Sequence, residues 1–134
     1  MSTRILWQSP KITVWHHPDA RLVHHEIHQY CYGDAFRDAL TAGAEALALH
    51  RADRWLSDDR KNGPVSPEDD AWINSTWFPR ATAAGWRYWA LVPPTAMVGQ
   101  MNVARTAKLF EEHGLVVRTF TTPELAMVWL ADPR

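Results

Sequence analysis

Two stretches hold residues whose types and spacing could do chemistry. The first is Arg54-Trp55-Leu56-Ser57-Asp58-Asp59-Arg60-Lys61-Asn62-Gly63. Bulky residues run into charged ones and then into a turn-forming Asn-Gly, as where a buried strand ends in an exposed loop. Paired carboxylates such as Asp58 and Asp59 can do acid–base work or hold a divalent ion. Neighbours on an extended chain point to opposite sides, however, so the two do not readily address one atom. A solvated loop in which Asp58 and Arg60 tie down nearby backbone explains the same residues, and so does a loop that meets a partner. The second stretch is His24-His25-Glu26-Ile27-His28. His24, Glu26 and His28 fall at i, i+2 and i+4 on one strand face, a possible zinc or iron triad. A wet polar face accounts for that pattern equally, with Val23, His25 and Ile27 on the core side. His16 and His17 are placed to meet these histidines across a hairpin.

Other reactive side chains have plainer readings. Cys31 has no histidine at a family-specific spacing and reads as a small inert hydrophobe. Ser66 and Thr122 read as helix caps. There is no glycine-rich phosphate loop, no serine elbow and no His-x-x-x-His on a helix.

The elements that must position these residues follow from periodicity. Ile5-Leu6-Trp7 is a short apolar run stopped by Ser9-Pro10. Lys11-Ile12-Thr13-Val14-Trp15 alternates as a strand does, and 21–28 is its hairpin partner across the turn His17-Pro18-Asp19-Ala20. A helix then starts at Gly33-Asp34. Its stripe is Phe36, Leu40, Gly43 and Leu47, and six alanines between 35 and 48 favour the helix and close packing. After the strand 54–57, Ser66-Pro67-Glu68-Asp69 is a complete helix start. That helix carries Trp72, Ile73 and Trp77, and Pro79 should bend or end it near 76–78. Strand 86–92 stops at Pro93-Pro94. Thr95 caps the next helix, Gly114 ends it, and strand 115–120 leads to a last helix started by Thr122-Pro123-Glu124.

The order is β-β-β-α-β-α-β-α-β-α. The expected fold is α/β, with a mixed, mostly parallel five-stranded sheet in one domain over 1–134. Ligands of such sheets bind beyond the carboxyl ends of the strands. That edge holds the 58–63 loop, Pro93–Thr95 and Thr121-Thr122.

Composition narrows the partners. The chain has 134 residues, 46% of them hydrophobic and 22% charged, enough to bury a core. With 14 basic and 15 acidic side chains the net charge is −1, so bulk charge does not favour nucleic acid or an anionic membrane. One cysteine excludes an internal disulfide and fits a reducing compartment. No uncharged run is long enough for a membrane span, and Met1-Ser2-Thr3-Arg4 is not followed by a signal-peptide core, so the expected location is the cytoplasm. The eight tryptophans are expected mostly in the core or at its rim, where Trp also supplies binding anchors.

The chain resembles the STAS-like, or SpoIIAA-like, family, and most of all small bacterial proteins of STAS/SEC14 type. The likeness covers about residues 5–131. It rests on Trp55-Leu56-Ser57-Asp58-Asp59-Arg60, Asp70-Ala71-Trp72-Ile73, Trp89-Ala90-Leu91-Val92 and Phe120-Thr121-Thr122-Pro123-Glu124-Leu125-Ala126-Met127-Val128-Trp129-Leu130. The resemblance implies regulatory binding of a protein partner or, in the SEC14-like branch, of a lipid or other apolar ligand. Anti-sigma antagonists of the family carry an Asp-Ser pair at a helix start. Here Ser57 precedes Asp58 at a strand end, so that phosphoserine does not carry over.

The resulting expectation is a non-enzymatic regulatory or interaction module with no catalytic residue, metal or cofactor. Its partner-binding residues would be Asp58, Asp59, Arg60, Lys61, Asn62, Trp72 and Trp77. Removing Arg60 would then weaken a complex and leave stability intact. A carrier of a small apolar ligand is the alternative, followed by a metal protein or enzyme on the histidine-rich hairpin. A homodimer is compatible with either of the first two.

Overall fold

The computed structural model describes residues 2–134, except for the side chain of Val98. Six strands form a single sheet in sequence order: β1 (Arg4–Gln8), β2 (Ile12–His17), β3 (Leu22–Ile27), β4 (Arg54–Asp58), β5 (Tyr88–Val92) and β6 (Val116–Thr119). All six strands of the expected order join this sheet, one more than the five expected of it, with the short run around Ile5-Leu6-Trp7 as an edge strand antiparallel to β2. β2 and β3 form the predicted hairpin, closed by a single 3₁₀ turn at Pro18–Ala20 with Arg21 in the left-handed region. β3 to β6 pair in parallel. Two antiparallel pairings and three parallel ones make the sheet mixed.

Each parallel pair is joined through helix: α1 (Gly33–His50), then α2 (Pro67–Trp72) and α3 (Phe78–Ala83), then α4 (Met97–Glu112). Right-handed crossovers that all step the same way along a sheet place their helices on one face. That face holds the larger core, in which Ile12, Val14, Val23, Ile27, Trp55, Trp89 and Leu91 meet α1, α3 and α4. Helix α5 (Pro123–Leu130) follows β6 and folds back over β4 and β5 on the other face. There Ala126 and Leu130 cover Leu22, Leu56, Ala90 and Val92. The Arg54 guanidinium donates to the Leu130 carbonyl at 2.6 Å and fixes the end of α5.

The helix stripe of α1 is as its spacing predicts: Phe36, Leu40, Gly43 and Leu47 are buried. Gly43 is required by packing. A Cβ there would lie 2.6 Å from Cζ3 of the Trp55 ring, inside van der Waals contact. Pro79 does not end its helix. The chain widens instead into a π-helical segment, Ile73–Trp77, between α2 and α3. Pro79 has no N–H to donate back along the helix and its ring crowds the carbonyl four residues earlier, and the wider turn relieves both.

Ser66 and Thr122 cap their helices, accepting from the amides of Asp69 and Leu125. Thr95 does not cap α4. Its amide and hydroxyl both donate to the Arg60 carbonyl at 3.4 Å, and the helix begins after Ala96 with no side-chain cap. No helix among the described residues is long and apolar enough to cross a membrane.

Candidate functional site: an aromatic cavity at the carboxyl ends of the parallel strands

Strand β4 delivers the site. Its period of two sends Trp55, Ser57 and then Asp59 to the helix-covered face, and Leu56 and Asp58 to the α5 face. The two neighbouring carboxylates are therefore divided by the sheet. Asp58 is buried and accepts a two-pronged bond from Arg60, Nε to Oδ1 and Nη2 to Oδ2, both 2.8 Å. That hydrogen bond to Asp58, with the charges of Asp58, Glu124 and Glu26, favours the charged guanidinium against the cost of burial.

Asp59 faces the opposite way, into a cavity of about 70 Å³. His25 of β3, the register partner of Ser57, stands beside it. The Trp55 indole N–H donates to His25 Nδ1 at 3.0 Å. An indole nitrogen can only donate, so Nδ1 accepts and the imidazole hydrogen sits on Nε2. From there it is donated to Asp59 Oδ1 at 2.7 Å. Both nitrogens of His25 are thus committed. Ser57 Oγ accepts from the Trp89 indole at 2.8 Å.

The walls are aromatic. Trp55, Trp77, Trp86 and Trp89 line the cavity together with Phe110 of α4 and Phe36 of α1. Their rings meet edge to face, with Trp55–Trp77 and Trp77–Trp86 both at 5.2 Å. The π-helical segment contributes Ile73 and Trp77 to the same wall. Trp77 donates to the Leu40 carbonyl at 2.7 Å and Trp86 to the Tyr88 carbonyl at 3.0 Å. Half-buried lining residues mark the mouth: Asn62, Gly63, Val65, Val103 and Thr106. Besides the Thr95 bonds to Arg60 O, the 59–65 loop is held by Asp59 N to Val92 O at 2.9 Å, Asn62 N to Asp59 O at 3.0 Å, Cys31 N to Asn62 Oδ1 at 3.1 Å and Tyr30 OH to Pro64 O at 2.6 Å. Asp69, at the start of α2, anchors the surroundings by accepting from Gly33 N and Arg37 Nε, both at 2.9 Å. Burial works to raise its pKa, but the Gly33, Arg37 and Ser66 donors outweigh that and hold it below the ordinary carboxylate value.

The seven residues singled out by sequence separate into three groups. Asp59, Asn62 and Trp77 come together in the cavity. Asp58 and Arg60 form a pair on the far face. Lys61 is exposed, and Trp72 is half-buried under the Arg37 guanidinium at 5.7 Å. Trp77 is 4% exposed, its surface covered by the core. Arg60 also neutralises a buried carboxylate, so its removal is expected to cost stability. His25, Trp55, Ser57, Trp86, Trp89 and Phe110 were not among the predicted site residues. The alternation Trp55-Ser57-Asp59 was the available signal for the strand's share of them. Four tryptophans are buried and the other four, Trp7, Trp15, Trp72 and Trp129, are half-buried, as the core-or-rim expectation has it.

The other histidines do not converge. His24 Nδ1 meets His17 Nε2 at 3.1 Å, whereas His28 bonds Thr13 Oγ1 at 2.8 Å and lies 3.8 Å from Glu26. Burial lowers His24 to about 3, with His17 and His25 adding to the effect and Asp58 opposing it. His16 turns to the helix face and stacks on His50 at 4.2 Å. No group of three His, Cys, Asp or Glu placed to hold a metal exists among the described residues. Burial pushes the Cys31 thiol up to about 11, which fits the inert reading. No protein-family model, curated protein or solved structure matches the chain.

Proposed function

We propose that this protein is a non-enzymatic regulatory module, STAS-like or SpoIIAA-like in type, that works by holding a small molecule in the aromatic cavity. The observation that carries the reading is the position of that cavity. It lies at the carboxyl ends of β4 and β5, the edge where α/β sheets present their ligands, and pairs apolar walls with a few convergent polar groups. The non-enzymatic part rests on His25. With one nitrogen accepting from Trp55 and the other donating to Asp59, the only histidine of the cavity has no free nitrogen for proton transfer. The STAS-like part rests on the spaced aromatics and on a hairpin followed by parallel βαβ units.

Val103→Phe fills the mouth of the cavity with minimal change elsewhere. Native mass spectrometry of the purified protein should show a small-molecule adduct on the wild type and a bare chain for the variant, at similar melting temperatures. A wild type that carries no adduct, and whose tryptophan emission is indifferent to small neutral, cationic and anionic probes alike, would remove the reading.

A protein partner is the second reading, and one observation favours it. Met97 and Met101 stand one turn apart at the start of α4, 75% and 68% exposed. The same helix start is tied through Thr95 to the Arg60 carbonyl of the 59–65 loop. Methionines suit adaptable protein contacts, and here they sit beside the loop that lines the cavity, so ligand and partner would read one another. Met101→Lys should abolish capture of such a partner and leave adduct binding unchanged. Retained capture would count against the second reading alone.

A further inference from the structure

The polar groups of the cavity restrict the charge of what it holds, and this inference rests on the cavity being a ligand site. Asp59 is the one lining side chain with a formal charge, and no lysine or arginine lines the wall. Its side chain is 13% exposed. The bond it accepts comes from an imidazole whose other nitrogen is itself an acceptor for Trp55, so His25 brings no second hydrogen and no compensating charge. The indole N–H groups that might receive an anion all end on protein acceptors: His25 Nδ1, Leu40 O, Tyr88 O and Ser57 Oγ. An anion entering here would meet a carboxylate and none of those donors. A neutral apolar molecule would strip water from the carboxylate and offer nothing in return.

A cation with an apolar body meets every one of these conditions. Electron-rich tryptophan rings attract alkylammonium groups, and a desolvated carboxylate takes an N–H. The volume sets the size. About 70 Å³ is roughly half of the 150 Å³ that admits benzene in an engineered apolar cavity, so the guest has only a few heavy atoms. We propose that the cavity binds a small free alkylamine in its protonated form, its N–H on Asp59 and its methyl groups against Trp55, Trp77, Trp86 and Trp89.

Three probes that share a three-methyl head and differ in charge decide the matter: trimethylammonium, tert-butanol and pivalate, titrated into the intact protein at constant ionic strength and pH 7. Tryptophan emission should respond saturably to trimethylammonium. tert-Butanol should bind at least tenfold more weakly, and pivalate should give no response. Asp59→Asn should weaken trimethylammonium tenfold or more while leaving tert-butanol unchanged. tert-Butanol binding as tightly as trimethylammonium, tighter binding of pivalate, or an Asp59→Asn protein with undiminished cation affinity each overturns the proposal. In the first of these cases the cavity remains a ligand site of another class. Silence from all three probes overturns this proposal and the ligand reading together. If Asp59→Asn fails to fold, the wild-type comparison of the three probes still decides.

Discussion

The Trp55 indole donates to Nδ1 of His25 at 3.0 Å, and this one bond determines where the imidazole hydrogen lies. Phe in place of Trp55 keeps an aromatic ring but has no N–H. The Trp55→Phe variant should lose about 1–3 kcal/mol, the cost of leaving a buried acceptor unpaired. The diagnostic signal is the nitrogen spectrum of His25. In the wild type Nδ1 should resonate as an unprotonated nitrogen and Nε2 as a protonated one, and in the variant the two forms should mix. An unchanged spectrum would show that Asp59 alone sets the tautomer.

The same indole explains Gly43. Replacing a helical glycine with alanine ordinarily gains up to about 1 kcal/mol of helix propensity. Here the new methyl would meet the ring of Trp55, which is 1% exposed and edge-packed against Trp77, so it has nowhere to move. Overpacking a core costs about 1–3 kcal/mol, so the clash outweighs the propensity gain. Urea unfolding of Gly43→Ala should show a lower midpoint with an unchanged slope. A stabilised variant would mean that the ring and α1 can separate.

Asp58 and Arg60 lead to the opposite outcome from the one a loop reading implies. Arg60→Ala leaves the Asp58 carboxylate buried, beside Glu26 as its register partner in β3. A loss of about 1–3 kcal/mol is expected, moderated because the Arg60 side chain is itself 42% exposed. Lys61→Ala, one residue on and exposed, should stay within about 0.5 kcal/mol of wild type. Thermal melts of the two variants side by side test the contrast, and equal melting temperatures would refute it.

How much of this was legible in the sequence follows from range. The boundary where bulky residues meet Asp58-Asp59-Arg60-Lys61 is local, and so is the period of two that sends the two carboxylates apart. Both could be read directly. The stripe of α1, the caps at Ser66 and Thr122 and the disturbance at Pro79 are local too. The cavity is not local. His25 and Asp59 meet only because β3 and β4 pair in parallel, His25 opposite Ser57, with all of α1 between them. Nothing in the spacing of residues 25 and 59 carries that register. Trp77 was ambiguous for a related reason. A tryptophan on a helix suits a core as well as an interface, and only the fold shows its indole turned inward to the Leu40 carbonyl. Thr95 has the residue type of a cap, but α4 starts one residue too late for it, after Ala96, and its hydroxyl turns to the Arg60 carbonyl instead.

The histidines of the other sheet face give a pH dependence with a definite sign. His24 packs against the tilted ring of Trp15 at 4.8 Å and stacks on His17 at 5.4 Å, and burial lowers it to about 3, well under the ordinary 6.5. Burial lowers His17 as well. A group whose folded pKa is depressed binds its proton first in the unfolded chain, so its contribution is complete above about 6.5 and is lost as pH falls toward about 3. The loss amounts to at most about 1.4 kcal/mol per pH unit for each such group. His25 and Asp58 are the other titratable groups that act on His24, and the Asp58 charge works against the lowering. Unfolding free energy measured between pH 7 and pH 4 should therefore fall steadily in the wild type. His24→Gln, which cannot take up a proton, should flatten that slope. A variant with the same slope as wild type would place the dependence elsewhere, with His16 the next residue to test because burial and the stacked His50 both lower it.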